Sequence, residues 1–330
     1  MRGLHSIAVF ALVVAVCPVS AQTPVLMGGG YASPIPFRAA PGQLVTLYVS
    51  GARTILPAGS QVVSASVPLP VSLAGFSVNL RQGGNTYAAP LFSVAQTTAC
   101  AGSAASPGCI VTALTIQIPF ELAASAPGLE SPELLTEISV NEDGIESARF
   151  LLVPAVDNIH LLTRCDGIAG GSPSTPPCSG IVTHADGTLV TADSPAKASE
   201  IVVIYGFGFG RTTPPVKTGA PAPVPAPVVA EPIVVQFDFH PNAGPSRPYV
   251  NPLIMTPVFP GPVFAGLTPG QVGLYQLNVR IPDTLPAVLP CTRSGGVVYG
   301  LTGTVTSNLT INIAGLASFD GAAICVSSAQ

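Results

Sequence analysis

Short alternating runs of apolar and polar residues dominate this chain. Residues 43–49, 76–80, 113–118 and 136–140 put apolar side chains at every second position, the period of a strand with one buried face. Residues 149–153 form a further short apolar run, which follows Asp143-Gly144, a strong two-residue hairpin signal. Only the stretch 119–125 suggests a turn of helix. Many short strands separated by turn residues predict an all-β chain of the sandwich or barrel kind.

The same series returns in the second half. Residues 200–206 match 43–49, and 233–239 match the run at Phe76. Likewise 261–266 match 89–94, 274–282 match 114–119, and 307–313 match 148–153. Five elements in one order, with a unit longer than about 100 residues, describe a duplicated domain and not a solenoid. The expected division is a leader over 1–21, an immunoglobulin-like sandwich over 22–156, a connector over 157–192 and a second such sandwich over 193–330. The connector carries its own Asp186-Gly187 hairpin signal and is expected to pack on the second sandwich. Seven prolines between Pro214 and Pro232 exclude a central strand and predict an extended loop along a sandwich edge.

Composition changes the picture in two ways. Gly and Pro number 34 and 36, which by itself would suit disorder, but 48% of the residues are apolar, which suits packed cores. Charged residues make up only 8% of the chain, and its 12 Lys and Arg form no block. Nucleic acid binding needs a phosphate-neutralising patch, so that class is excluded.

The N-terminus reads as an export signal. Arg2 and His5 precede the apolar run 7–16, and small residues lead to a cut after Ala21. The run is too short to span a bilayer, and no later segment is long and apolar enough. Val16 and Pro18 around Cys17 argue against lipid attachment there. Cleavage leaves six cysteines: Cys100, Cys109, Cys165, Cys178, Cys291 and Cys325. An even number in an exported chain points to disulfides, and six allow 15 connectivities. Position favours local pairing: Cys100 with Cys109 and Cys165 with Cys178 across Gly/Ser/Pro loops, and Cys291 with Cys325 as the remainder. No Cys-x-x-Cys occurs to suggest zinc.

Several second-half segments occur together in a recognisable order. They are Asp186-Gly187-Thr188-Leu189, then Ser194-Pro195-Ala196-Lys197, the run 201–210 ending in Gly206, Gly208 and Gly210, then Thr213-Pro214-Pro215, and the long segment 264–282. This region, about 180–315, resembles the C-terminal module of uncharacterised exported acidobacterial proteins, which is similar to the IPT/TIG group of immunoglobulin-like domains. The first half resembles a diverged copy that lacks the glycine run and the Gly-Leu-Tyr-Gln segment. The resemblance implies a sandwich fold and a secreted or cell-surface setting, and it carries over no catalytic residue.

Candidate chemistry is sparse. Gly206, Gly208 and Gly210 follow a strand, but Arg211 stands where a dinucleotide fingerprint needs glycine, and Pro214 and Pro215 forbid the helix it requires. They read as a tight strand exit. No Gly-x-Ser-x-Gly elbow occurs, and His160, His184 and His240 are isolated in sequence. Acidic residues cluster at Glu137, Glu142, Asp143 and Glu146, where a solvated turn is expected over a glycosidase pair. A weak calcium site at Asn141, Glu142 and Asp143 stays open, although the Asp-x-Asp spacing of a dedicated loop is missing. With no Trp, sugar stacking would fall to Tyr31, Tyr87, Tyr249 or Tyr299, which are expected in core or edge positions. No cofactor, catalytic residue or metal ligand is assigned. The sequence points to a non-enzymatic secreted or cell-surface interaction or structural protein, its partner an extracellular protein or polysaccharide; the alternative is a carbohydrate-binding or hydrolase-accessory module. Peptide mapping without reduction is expected to recover the three local bridges, and a free thiol at any of the six positions would refute that framework.

Overall fold

The computed structural model describes residues 24–29, 37–53, 56–57, 59–98, 110–126, 131–163, 166, 180–237, 260–285, 306–313, 316–317 and 322–327. The chain is all-β. Among the described residues the helical element is one 3-10 turn at Pro132–Leu134, and the stretch 119–125 forms turns, not a helix.

Four sheets make two pairs. The first sheet runs β1 (Val25–Gly29), β3 (Leu44–Ser50), β9 (Ile110–Gln117), β8 (Leu91–Thr98) and β4 (Gln61–Val63). The second runs β2 (Phe37–Ala39), β12 (Phe150–Pro154), β10 (Thr136–Glu142), β6 (Phe76–Gln82) and β5 (Ser72–Leu73), with β7 (Asn85–Ala89) on β6 and β11 (Ile145–Glu146) on β10. Their inward faces share one core: Leu47, Leu91, Leu114 and Ile116 from the first sheet meet Phe76, Leu80, Ile138 and Leu152 from the second. Burying a side chain of this size is worth about 1.5–3 kcal/mol, so these alternating positions set the register.

The third sheet runs β13 (His160–Leu161), β15 (Ile201–Phe207), β20 (Tyr275–Arg280), β19 (Pro262–Leu267), β17 (Val228–Val229) and β16 (Thr212–Thr213), with β14 (Val182–His184) on β15. The fourth runs β18 (Ile233–Phe237), β21 (Thr306–Ile313) and β22 (Leu316–Ala317), with β23 (Ala322–Cys325) on β21. Val202, Ile204, Leu277 and Val279 face Phe237, Leu309 and Ile311 in the second core. On β20 the alternation is clean, with Tyr275, Leu277 and Val279 buried and Gln276 and Asn278 partly exposed.

The pairings repeat. The antiparallel order β3–β9–β8 recurs as β15–β20–β19. Even the irregularity recurs: register slips between Leu91 and Ser93 against β9, and between Pro262 and Phe264 against β20. The β6–β10 ladder recurs as β18–β21, and the β10–β11 hairpin as β21–β22. β12 returns to β10 as β23 returns to β21. This corrects one expected match. The strand at 307–313 corresponds to β10, not to 148–153, because the ladder and not the local apolar run defines its place.

Two turns take the geometry their sequences predict. Asp143 and Gly144 both have positive φ, 46° and 88°, between β10 and β11, and Asn141 Oδ1 accepts the Gly144 N–H at 2.9 Å. At the second, Gly187 has φ 86° and donates its N–H to His184 O at 3.0 Å. Buried polar groups then tie the first pair of sheets together. Glu142 on β10 is fully buried and accepts the Arg53 N–H at 3.0 Å, while Arg53 Nη2 donates to Glu142 O at 3.1 Å. Gln82 on β6 donates to Ala123 O and Leu134 O, and its Oε1 accepts the Ala123 N–H.

The two pairs meet in a polar joint. From β13 backwards, the connecting strand lies along the exit of β15, and Asn158 N donates to Gly208 O at 2.8 Å. A Cβ at Gly206, Gly208 or Gly210 would stand 2.7, 2.2 or 2.2 Å from His160 O, Asn158 O or Val156 O respectively. The glycine run is therefore a trough for a neighbouring backbone. Asn158 in turn donates through Nδ2 to Arg38 O and Gln43 Oε1, and Gln43 Nε2 donates to Asn158 O. Gln117, fully buried, accepts the Gly219 N–H at 2.6 Å and donates to Gly42 O.

The proline-rich stretch also departs from expectation. It does not simply follow an edge: its turn at 217–220 reaches the first pair, where Leu69 N donates to Gly219 O and Phe120 N to Thr218 Oγ1, each at 2.9 Å. Its end forms β17, paired with β16 and β19. Gly208→Ala, which combines φ 77° with the Asn158 carbonyl, is expected to cost about 3 kcal/mol or more, against about 1–2 kcal/mol for Gly187→Ala in open space. Urea midpoints at unchanged slope measure both.

Candidate functional site

The Asp186-Gly187 hairpin brings together three residues that are separated in sequence. His184 ends β14, Glu200 precedes β15, and Ser194 lies in the loop between them. Ser194 Oγ is 3.1 Å from His184 Nε2, and His184 Nδ1 makes a short bond to Glu200 Oε1. Glu200 Oε2 accepts the Lys197 N–H at 2.9 Å. By residue type and order of contact this is a serine–histidine–carboxylate row.

Proton positions decide what the row can do. His184 Nε2 also lies 3.1 Å from the Ser194 carbonyl oxygen, which can only accept. Nδ1 faces a carboxylate, which also accepts. When protonated, the ring donates from both nitrogens, and in that form it has no lone pair for the Ser194 proton. The hydrogen bond that His184 donates to Glu200 is the main cause that raises its pKa above the ordinary value; the bond to Ser194 and the charges of Glu200 and Asp186 add to it, and burial opposes it.

A tetrahedral intermediate would also need backbone donors. Pro195 follows Ser194 and has no N–H, while the Ser194 N–H goes to Thr191 O and Thr191 Oγ1 at 3.2 and 3.1 Å. The row clasps the loop 191–197 to the hairpin. Sequence reasoning took His184 as isolated because its partners lie 10 and 16 residues away. The Asp-Gly turn beside His184 was the available signal, since it folds the chain back there.

His160 belongs to a similar clasp. Its Nε2 meets Asp166 Oδ1 at 2.8 Å, and Asp166 Oδ2 accepts the N–H and hydroxyl of Thr163 at 2.6 and 3.0 Å. Burial opposes ionisation of Asp166, yet the hydrogen bond and charge of His160 and the Thr163 bonds together hold its carboxyl below the ordinary range. His240 lies outside the described residues.

The acidic cluster is dispersed by strand geometry. Glu137 and Glu142 lie on opposite faces of β10, and Glu137, Glu142 and Glu146 each have an arginine. Glu137 pairs with Arg149 at 2.7 Å, Glu146 with Arg81 at 2.8 Å, and Glu142 with Arg53. Hydrogen bonds from Arg81 and then Ser139 lower the Glu146 pKa. Of the calcium candidates, Asn141 caps the turn, Glu142 is sealed inside the sandwich, and Asp143 forms the turn itself, so the three do not converge. Among the described residues no group of three His, Cys, Asp or Glu side chains could hold a metal ion.

Tyr87 packs against the first core, and Tyr31, Tyr249 and Tyr299 lie outside the described residues. Cys325 is disulfide-bonded, and the other cysteines lie outside the described residues. An outer groove of about 400 Å³ is lined by Arg81, Asn85, Thr86, Leu135, Glu137 and Leu151, among others. No helix among the described residues is long and apolar enough to cross a membrane.

No family model matches the chain, and no curated protein matches it. Among solved structures, the adhesin InvE of Yersinia pseudotuberculosis is similar at 11% identity and a TM-score of 0.20 over 91% of this chain. The chain spans 58% of that adhesin's length, and a likeness of this size carries no argument about function.

The His184 clasp has a signed pH dependence. A raised histidine pKa means that the folded state holds the proton more tightly, so the contribution is complete below the unfolded value of about 6.5 and is lost as pH rises through the folded value. Glu200→Gln is expected to cost on the order of 1 kcal/mol at pH 5.5 and less at pH 9. Equal losses at both pH values in chemical denaturation would contradict an imidazolium clasp.

Proposed function

We propose that the chain is a non-enzymatic interaction or structural protein of the cell surface or the secreted fraction. In this reading it consists of two immunoglobulin-like domains related to the IPT/TIG group, stapled by three local disulfides and fixed to each other by the polar joint. The leader-like N-terminus and the even cysteine count support export. The repeated strand order, shared down to the register slip, supports duplication of one sandwich.

The observation that carries the reading is the fate of the strongest reactive constellation. Protonated His184 donates from both ring nitrogens, to Glu200 and to the Ser194 carbonyl, and neither the Ser194 N–H nor Pro195 supplies a free backbone donor for an oxyanion. Glu137, Glu142 and Glu146 of the acidic cluster are each paired with an arginine. These groups hold backbone in place, and sandwiches of this kind present loops and edges to partners.

A carbohydrate-binding role is the second reading, favoured by the groove between Arg81, Asn85, Thr86 and Glu137, which offers donors and acceptors of both signs beside Leu151. The exported chain is expected to turn over no ester or glycoside substrate and to take no fluorophosphonate label. Label that disappears in Ser194→Ala would overturn the non-enzymatic reading. Glycan-array binding that is lost in Arg81→Ala would move the conclusion to the second one.

A further inference from the structure

Asp157 lies in the joint, between Val156, whose carbonyl rests on Gly210, and Asn158, which bonds Gly208, Gln43 and Arg38. It is 3% exposed, and its Oδ2 has no hydrogen-bond partner. A buried carboxylate oxygen without a donor strongly disfavours the ionised form.

Among the described residues no cation is paired with it. Arg38 on β2 takes part through its carbonyl oxygen, which accepts from Asn158 Nδ2 at 3.0 Å. Arg211, just past Gly210, turns its guanidinium to Leu122 O at 2.8 Å. His160, three residues after Asp157, is engaged with Asp166. The charge that does act on Asp157 is Glu231, before β18, and it has the same sign.

We propose that the joint is a proton-controlled lock, closed while the Asp157 carboxyl is neutral and loosened once it ionises. In the closed joint the neutral acid is simply a buried side chain between two backbones that touch at glycines. Ionisation puts an unsolvated charge between the sheet pairs, and opening the segment 156–160 is the nearest way to hydrate it. Opening the segment releases the backbone bonds of Val156 to Ser125 and of Asn158 to Gly208 together with the Asn158 side-chain bonds, and draws Ile159 from the edge of the second core, while the strands of both sandwiches stay paired.

Burial first, and the charge of Glu231 second, push the Asp157 carboxyl up to about 7. The sign follows: a raised acid pKa gives stability that is complete below the ordinary carboxyl value of about 4 and lost as pH rises through the folded value. The lock therefore favours mildly acidic surroundings.

Amide hydrogen exchange on the full chain between pH 5 and pH 8, corrected for intrinsic rates, tests this. The joint amides of Val156 and Asn158 are compared with core amides of β3 and β10. Wild-type joint protection is expected to fall relative to the core by up to about tenfold per pH unit below 7, then level off. Asp157→Asn should abolish the slope, and Glu231→Gln should move it to lower pH. A joint that tracks the core at every pH, or a slope that survives Asp157→Asn, overturns the lock. Should Asp157→Asn fail to fold, an unmoved profile in Glu231→Gln overturns it equally.

Discussion

The architecture depends on one close approach, the backbone at 156–160 lying in the trough formed by Gly206, Gly208 and Gly210. At this separation side chains are excluded by distance alone, since a Cβ at Gly208 or Gly210 would stand 2.2 Å from a carbonyl oxygen. The contact does two things together. It continues the β15 ladder into the connector, and it places Asn158 where its amide can meet Gln43. The second turn of the joint, around Gly219 and Gln117, then fixes the remaining rotation. Two contacts at separate points define an orientation, whereas one would leave a hinge.

Building the joint from amides has a physical consequence. An apolar interface would tolerate sliding, because hydrophobic contact is not directional. Gln43 and Gln117 are fully buried, so each unmet donor or acceptor there would cost about 1–3 kcal/mol. Their bonds to specific carbonyls and N–H groups are satisfied in one arrangement. The joint is thus selective in geometry, and it is also the place where an uncompensated group such as Asp157 has its largest effect.

The sheets were legible in the sequence to the degree that burial wrote them there. Alternation on β6, β10 and β20 marked both strand and inward face, because the core selects every second residue. Asp143-Gly144 and Asp186-Gly187 marked their turns, because positive φ restricts residue choice. The match of 307–313 failed for a related reason. Burial specifies that a strand faces a core, but pairing order depends on long-range hydrogen bonds made by backbone, which every residue supplies alike.

The joint and the His184 clasp were not legible, and the cause is the same for both. A glutamine before a strand, such as Gln43, reads as solvent-facing until the second half covers it. The glycine run announced a close approach but not what approached. His184, Ser194 and Glu200 become neighbours only after the hairpin closes, and even then their identities suggest a nucleophile. The Ser194 carbonyl at 3.1 Å and the proline after it bear on that suggestion, and neither fact is a property of the three side chains. Reactivity in such a row rests on which nitrogen keeps a lone pair. Here the Glu200 carboxylate faces one ring nitrogen and the Ser194 carbonyl faces the other, so in its protonated form the ring clasps the loop to the hairpin.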